Sequence, residues 1–151
     1  MMKYTNMLVV LVAIAISAAM IGPSYAGDYL LIVNAGNGAS GSEDALRQIT
    51  KRQYLKQQSA WPDGEASLPF GRATDSAVQT AFMANVLGMT KTEFETHWLK
   101  MKQTTGITPP RSIGSARIII RQVSKKKGAF GAVSKAEAGD LPAEVKVLFE
   151  F

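Results

Sequence analysis

Tyr29-Leu30-Leu31-Ile32-Val33 constrains the fold of this chain more than any other stretch. It is a short run rich in strand formers, and it is apolar without alternation. A strand exposed on one face alternates apolar with polar residues, whereas a continuous run needs cover on both faces. The chain must therefore place a layer on each side of this strand. Helices are the natural cover, which points to an α/β domain.

The rest of the chain supplies those helices. Gly36 to Gly41 is a glycine- and serine-rich loop, and Ser42 then reads as an N-cap, with Glu43 and Asp44 in the first turn where negative charge is favoured. Leu46, Ile49 and Leu55 form the apolar face of this first helix. Trp61-Pro62-Asp63-Gly64 carries strong turn chemistry, and a second strand is predicted at about Ala66 to Phe70. A helix follows over Ala77 to Leu87, capped by Thr74 or Asp75, burying Val78, Phe82, Val86 and Leu87 and stopped by Gly88. Thr90 with Glu93 three residues on is a capping box for a third helix, whose apolar face carries Phe94, Trp98 and Met101. Pro109-Pro110 marks a break, and Ser112 or Ser115 opens a fourth helix through Ile118, Ile119 and Val123. Gly128 to Val133 reads as a strand with close backbone approach at its glycines. Ser134 to Glu137 starts one helical turn, and Val145 to Phe151 alternates like an edge strand. The expected order is β-α-β-α-α-α-β-β, a small mixed sheet flanked by helices.

The first 26 residues do not belong to this pattern. Lys3 precedes a continuous apolar run from Met7 to Ile21, Gly22-Pro23 breaks it, and Ser24-Tyr25-Ala26 places small residues at a cleavage site. This is the pattern of a secretory signal peptide, and the run is short for a spanning helix, which needs about 20 apolar residues. The expected division is residues 1–26 as signal peptide and 27–151 as one domain, with a periplasmic or secreted destination. Removing residues 1–26 takes one lysine with it, so the net charge falls from +5 to +4.

The residues exclude several kinds of chemistry. There is no cysteine, hence no thiol nucleophile, thiolate ligand or disulfide. The one histidine, His97, adjoins Trp98 and reads as a surface or boundary residue. No G-x-S-x-G, H-E-x-x-H or calcium-loop spacing occurs. No catalytic residue, metal or cofactor is expected, and the chain is not read as an enzyme. Gly36-Asn-Gly38-Ala-Ser-Gly41 matches G-x-G-x-x-G in letters. However, two residues separate the strand from the first glycine, and the second strand ends in Gly71-Arg72 rather than an acidic residue. It reads as a flexible strand–helix loop whose N–H groups remain open to a small anion. Lys125-Lys126-Lys127 reads as a solvated helix end opposing the macrodipole. Neither a nucleic-acid partner nor a membrane span after cleavage is expected.

One cluster stands apart. Arg72-Ala-Thr-Asp75-Ser76 gathers a guanidinium, a carboxylate and a hydroxyl where a strand hands over to a helix. A helix start offers unpaired N–H groups and partial positive charge, and arginine adds a planar two-pronged donor. Spacing alone leaves two readings open: an oxyanion site, or a helix cap with a surface Arg72–Asp75 pair.

The order of these segments resembles a known family. Gln48-Ile49 through Leu55, then Trp61-Pro62-Asp63-Gly64, a Pro-bearing strand, Arg72-x-x-Asp75-Ser76 and Phe82 follow one another as in the substrate-binding proteins of phosphate ABC transporters. There, I-F-x-G-x…W precedes a strand and then R-x-D-G-S-G-T…F. Pro109-Pro110 and Lys127 to Val133 resemble that family's later P-G-A-I-G-Y-V strand. The likeness runs from about Tyr29 to Val133. It implies one lobe of a type II periplasmic-binding-protein-like fold, with Arg72 as charged donor, Asp75 as proton-accepting carboxylate and Ser76 as hydroxyl donor to phosphate or a similar oxyanion. The sequence departs from the family at Ser76-Ala77-Val78, where the G-S-G-T run is reduced, and the chain has length for one lobe where the family has two. The resemblance therefore implies weak binding, or binding completed by a protein partner or a second copy. The alternative is an interaction or scaffold domain that kept the fold and lost the ligand.

Overall fold

The computed structural model describes residues 27–151. The expected signal peptide at 1–26 lies outside the described residues. Five strands form one mixed sheet: β1 (Tyr29–Asn34), β2 (Leu68–Gly71), β3 (Arg111–Ser112), β4 (Ala129–Ser134) and β5 (Val145–Glu150), in the spatial order β3-β2-β4-β1-β5. The pairs β2–β4 and β2–β3 are parallel, while β1 runs antiparallel to both β4 and β5.

The continuous apolar run of β1 has the explanation its pattern demands. Leu31 and Val33 point into one core cluster with Phe130 and Ala132 of β4. Leu30 and Ile32 point into a second with Ala129 and Val133. The first core is closed by α1 (Glu43–Tyr54), α2 (Ala77–Phe82), a π-helical turn (Met83–Leu87) and α3 (Lys91–Thr105). The second is closed by α4 (Ala116–Lys125), with Ile119 and Val123, and by α5 (Lys135–Ala138). Trp61 bridges loop and sheet, setting its ring edge-on to Phe130 at 5.4 Å and donating its indole N–H to the Gly128 carbonyl at 3.0 Å.

Capping follows the sequence at three helices. Ser42 accepts from the Ala45 N–H at the start of α1, and complete capping boxes join Thr90 with Glu93 and Ser134 with Glu137. Two expectations change. The cap of α2 is Ser76, not Thr74 or Asp75; its hydroxyl oxygen accepts from the Gln79 N–H at 3.3 Å while donating to the Ala73 carbonyl at 2.6 Å. The helix predicted over Ala77–Leu87 is α-helical only as far as Phe82, then widens into the π turn before ending at left-handed Gly88. The two-residue strand β3 was not expected; it forms only because Arg111 and Ser112 meet Phe70 and Gly71.

Candidate functional site: a carboxylate seated on a buried arginine

The end of β2 and the start of α2 are tied together by side chains from three elements. The Arg72 backbone N–H donates to the Gln79 side-chain carbonyl at 2.9 Å, and the Gln79 amide donates to the Tyr54 hydroxyl at 3.3 Å. Gln79 and Tyr54 are both buried. Burial pushes the Tyr54 hydroxyl up to about 12, the bond from Gln79 offsetting part of the shift, so it stays protonated.

This frame turns the Arg72 side chain inward. The side chain is only 4% exposed. One amino group, Nη1, donates to the Ala132 carbonyl and to Glu137 Oε2, both at 3.2 Å. The other, Nη2, donates to the Gly114 carbonyl and to Glu137 Oε1, both at 2.9 Å. The result is a fork-to-fork pair, the strongest geometry for an arginine and a planar anion. The remaining nitrogen, Nε, is buried and has no partner among the described residues.

Glu137 is held from its other side as well. Its Oε2 accepts the Ser134 N–H at 3.1 Å and the Ser134 hydroxyl at 3.0 Å. The Arg72 hydrogen bonds, joined by those from Ser134, hold the carboxyl at about 2, against an ordinary 4.5. Its folded value is depressed, so its stabilising contribution is complete above the ordinary value and lost as pH falls toward the folded one. Unfolding experiments should show stability declining from about pH 4.5 to about pH 2. Glu137→Gln should flatten that part of the profile. An unchanged slope in the variant would remove Glu137 as its origin.

Arg72, Ser76 and Glu137 share a small cavity of about 350 Å³, completed by Tyr29, Ala77, Val78 and Ser134. Two of the three residues expected from the sequence thus come together. Asp75 is exposed and does not line the cavity. The surface Arg72–Asp75 pair, the other reading of the cluster, is replaced by a pair between the buried Arg72 and the exposed Glu137. Ser134 and Glu137 were missed as site residues. The S-x-x-E spacing signals a helix start, which it is, and carries no sign of an arginine 65 residues away in sequence.

The first part of the glycine-rich loop is tied down by nearby side chains. The Gly36 N–H donates to Asn34 Oδ1 at 2.8 Å, that of Gly38 to Asp63 Oδ2 at 3.2 Å, and that of Ala39 to Asn37 Oδ1 at 2.8 Å. The Glu65 N–H, with help from Gly38 and Lys127, holds the Asp63 carboxyl below its usual range. The N–H groups of Gly36, Gly38 and Ala39, which the sequence left open to an anion, already have acceptors. No group of three or more potential metal ligands occurs among the described residues, and no helix among them is long and apolar enough to cross a membrane.

No family model and no curated protein matches the sequence. Solved structures do match. An ABC-type phosphate transport receptor from Vibrio cholerae superposes with a TM-score of 0.58 at 17% identity, over 80% of this chain and 45% of the receptor. A possible phosphate binding protein from Planctomyces limnophilus superposes with a TM-score of 0.51 at 15% identity, over 80% of this chain and 40% of that protein. The fold is that of one periplasmic-binding-protein-like lobe. The chain spans less than half the length of either of these proteins, so the lobe is one part of a larger arrangement in both.

Proposed function

We propose that the lobe is an exported, non-enzymatic solute-binding-like protein that takes phosphate or a similar oxyanion weakly, with Arg72 as the charged donor. Asp75 and Ser76 complete the set carried over from the family resemblance. The observation that carries this reading is the Arg72 fork itself: a buried guanidinium on a small cavity, already gripping an oxyanion in the form of a carboxylate. The same observation explains weakness. An incoming anion meets an intramolecular competitor, and one lobe leaves the anion exposed to water, where charge-assisted bonds lose strength.

Asp75 has the least support, since it lies away from the cavity, and Ser76 already uses its hydroxyl in the cap. A partner protein or a second copy facing the cavity would supply the missing wall. Calorimetric titration of the full-chain protein with phosphate should give a Kd on the order of 1 mM. Light scattering should report association if phosphate joins two copies. No response to phosphate, sulfate or arsenate would overturn the ligand reading and favour the second one, an interaction domain in which the Arg72–Glu137 pair is purely structural.

A further inference from the structure

We propose that Glu137 is the resident ligand of the Arg72 seat, and that an external oxyanion binds by displacing its carboxylate and taking over its four donors. This rests on the oxyanion reading above and adds to it a different donor set. The atoms now bonded to Glu137 are Nη1 and Nη2 of Arg72 and the N–H and hydroxyl of Ser134, at 3.2, 2.9, 3.1 and 3.0 Å. They converge on one carboxylate from two strands far apart in sequence, since Arg72 follows β2 and Ser134 ends β4. Ser134 therefore replaces Ser76 as the hydroxyl donor.

Three features make Glu137 displaceable while Arg72 stays fixed. Its side chain is 41% exposed, so it has a direct route to water, while the Arg72 side chain is 4% exposed. Arg72 keeps its bonds to the Ala132 and Gly114 carbonyls when Glu137 leaves. Glu137 stands in a helix of four residues, Lys135–Ala138, which ends at Gly139 with φ +52. Rotation of one side chain vacates the seat without unfolding a long element. The four donors then face an anion with nothing but water to compete.

Displacement also sets selectivity. Glu137 presents one negative charge and two oxygens. A monoanion of the same kind gains little by replacing it, since the tethered carboxylate pays no entropy of association. Hydrogen phosphate brings a second charge and further oxygens to the same donors. The seat should therefore favour a dianionic tetrahedral oxyanion over acetate or chloride.

The test is titration with inorganic phosphate of the full-chain protein and two variants, read by calorimetry and by thermal shift. Glu137→Gln keeps a residue that can complete a capping box and removes the competing charge; Glu137→Ala removes the side chain. Both should bind phosphate at least about tenfold more tightly than the unmodified chain, a ratio that corresponds to 1.4 kcal/mol. Acetate should raise the melting temperature of Glu137→Ala and leave that of the unmodified chain unchanged. In the Glu137→Gln background, Ser134→Ala should weaken phosphate binding more than Ser76→Ala does. Equal affinity in the unmodified chain and Glu137→Gln overturns the resident-ligand role and leaves the oxyanion reading intact. Weaker binding by Glu137→Gln than by the unmodified chain also overturns it, since Glu137 would then be aiding the anion. No binding by any of the three proteins overturns both readings together.

Discussion

Replacing Arg72 by alanine should destabilise the lobe by about 3 kcal/mol and abolish any response to phosphate. The estimate sits at the lower end for a broken buried ion pair because only one partner is buried. Glu137 is left with 41% of its side chain in water and can be solvated there. The cost comes chiefly from the arginine's other bonds. The Ala132 and Gly114 carbonyls lose the donors that reach them from Arg72. A void also opens beneath the junction of β2 and α2. Arg72→Lys should recover little of this, because a single ammonium cannot serve two carbonyls and both carboxylate oxygens. Urea unfolding with circular dichroism gives the stability, and calorimetry the phosphate response. A variant as stable as the parent would show that the bonds of the buried arginine contribute nothing net. A variant that still bound phosphate would place the anion elsewhere.

Gly128→Ala should cost at least about 3 kcal/mol, at the upper end for an overpacked site. Gly128 stands just before β4, where its carbonyl accepts from both the Trp61 indole and the Leu68 N–H. A Cβ added there overlaps the Ala66 carbonyl oxygen and crowds its carbon. The obstruction is backbone, so no side-chain rotation relieves it. The chain must separate β4 from the segment leading into β2, which loosens Trp61 from Phe130 and shortens the parallel pairing of Leu68 and Pro69 with β4. Trp61 is 2% exposed, so tryptophan fluorescence reports the change directly. A variant melting within a degree or two of the parent would refute this account of the glycine.

Much of the architecture was legible because it depends on neighbours in sequence. The apolar run of β1 demanded cover on two faces and has it. Thr90 and Ser134 signal helix starts through a glutamate three positions on, Ser42 through the acidic residues just after it, and each one caps. The cap of α2 was harder, because Thr74, Asp75 and Ser76 are adjacent and each is a competent N-cap residue. Only the path of the chain out of β2 decides among them. The strand β3 has no pattern to read in two residues, and its register comes from β2.

The site was half legible for the same reason. Arg72 and Ser76 were singled out because they cluster in sequence, and they line one cavity. The carboxylate that governs Arg72 could not be found that way. Asp75 is three residues off and exposed, whereas Glu137 arrives on a separate strand–helix junction. Local spacing favours the near acid; the fold delivers the distant one.

The position of β1 has a consequence for how the lobe comes into being. Of the five described strands, β1 is the earliest in sequence, and it lies between the two latest, β4 and β5. Leu31 pairs with Ala132 and Phe149, across about a hundred residues of intervening chain, and pairings at such separation are slow to form because loop closure must precede their reward. Part of the cover over Leu31 and Val33 comes from Phe130, Ala132 and Phe149, late in the chain. The cores on both faces of β1 therefore close late, after β4 has reached it, and the preceding chain stays open and threadable until then. For a protein proposed to leave the cell, that delay suits passage through an export channel before the core closes.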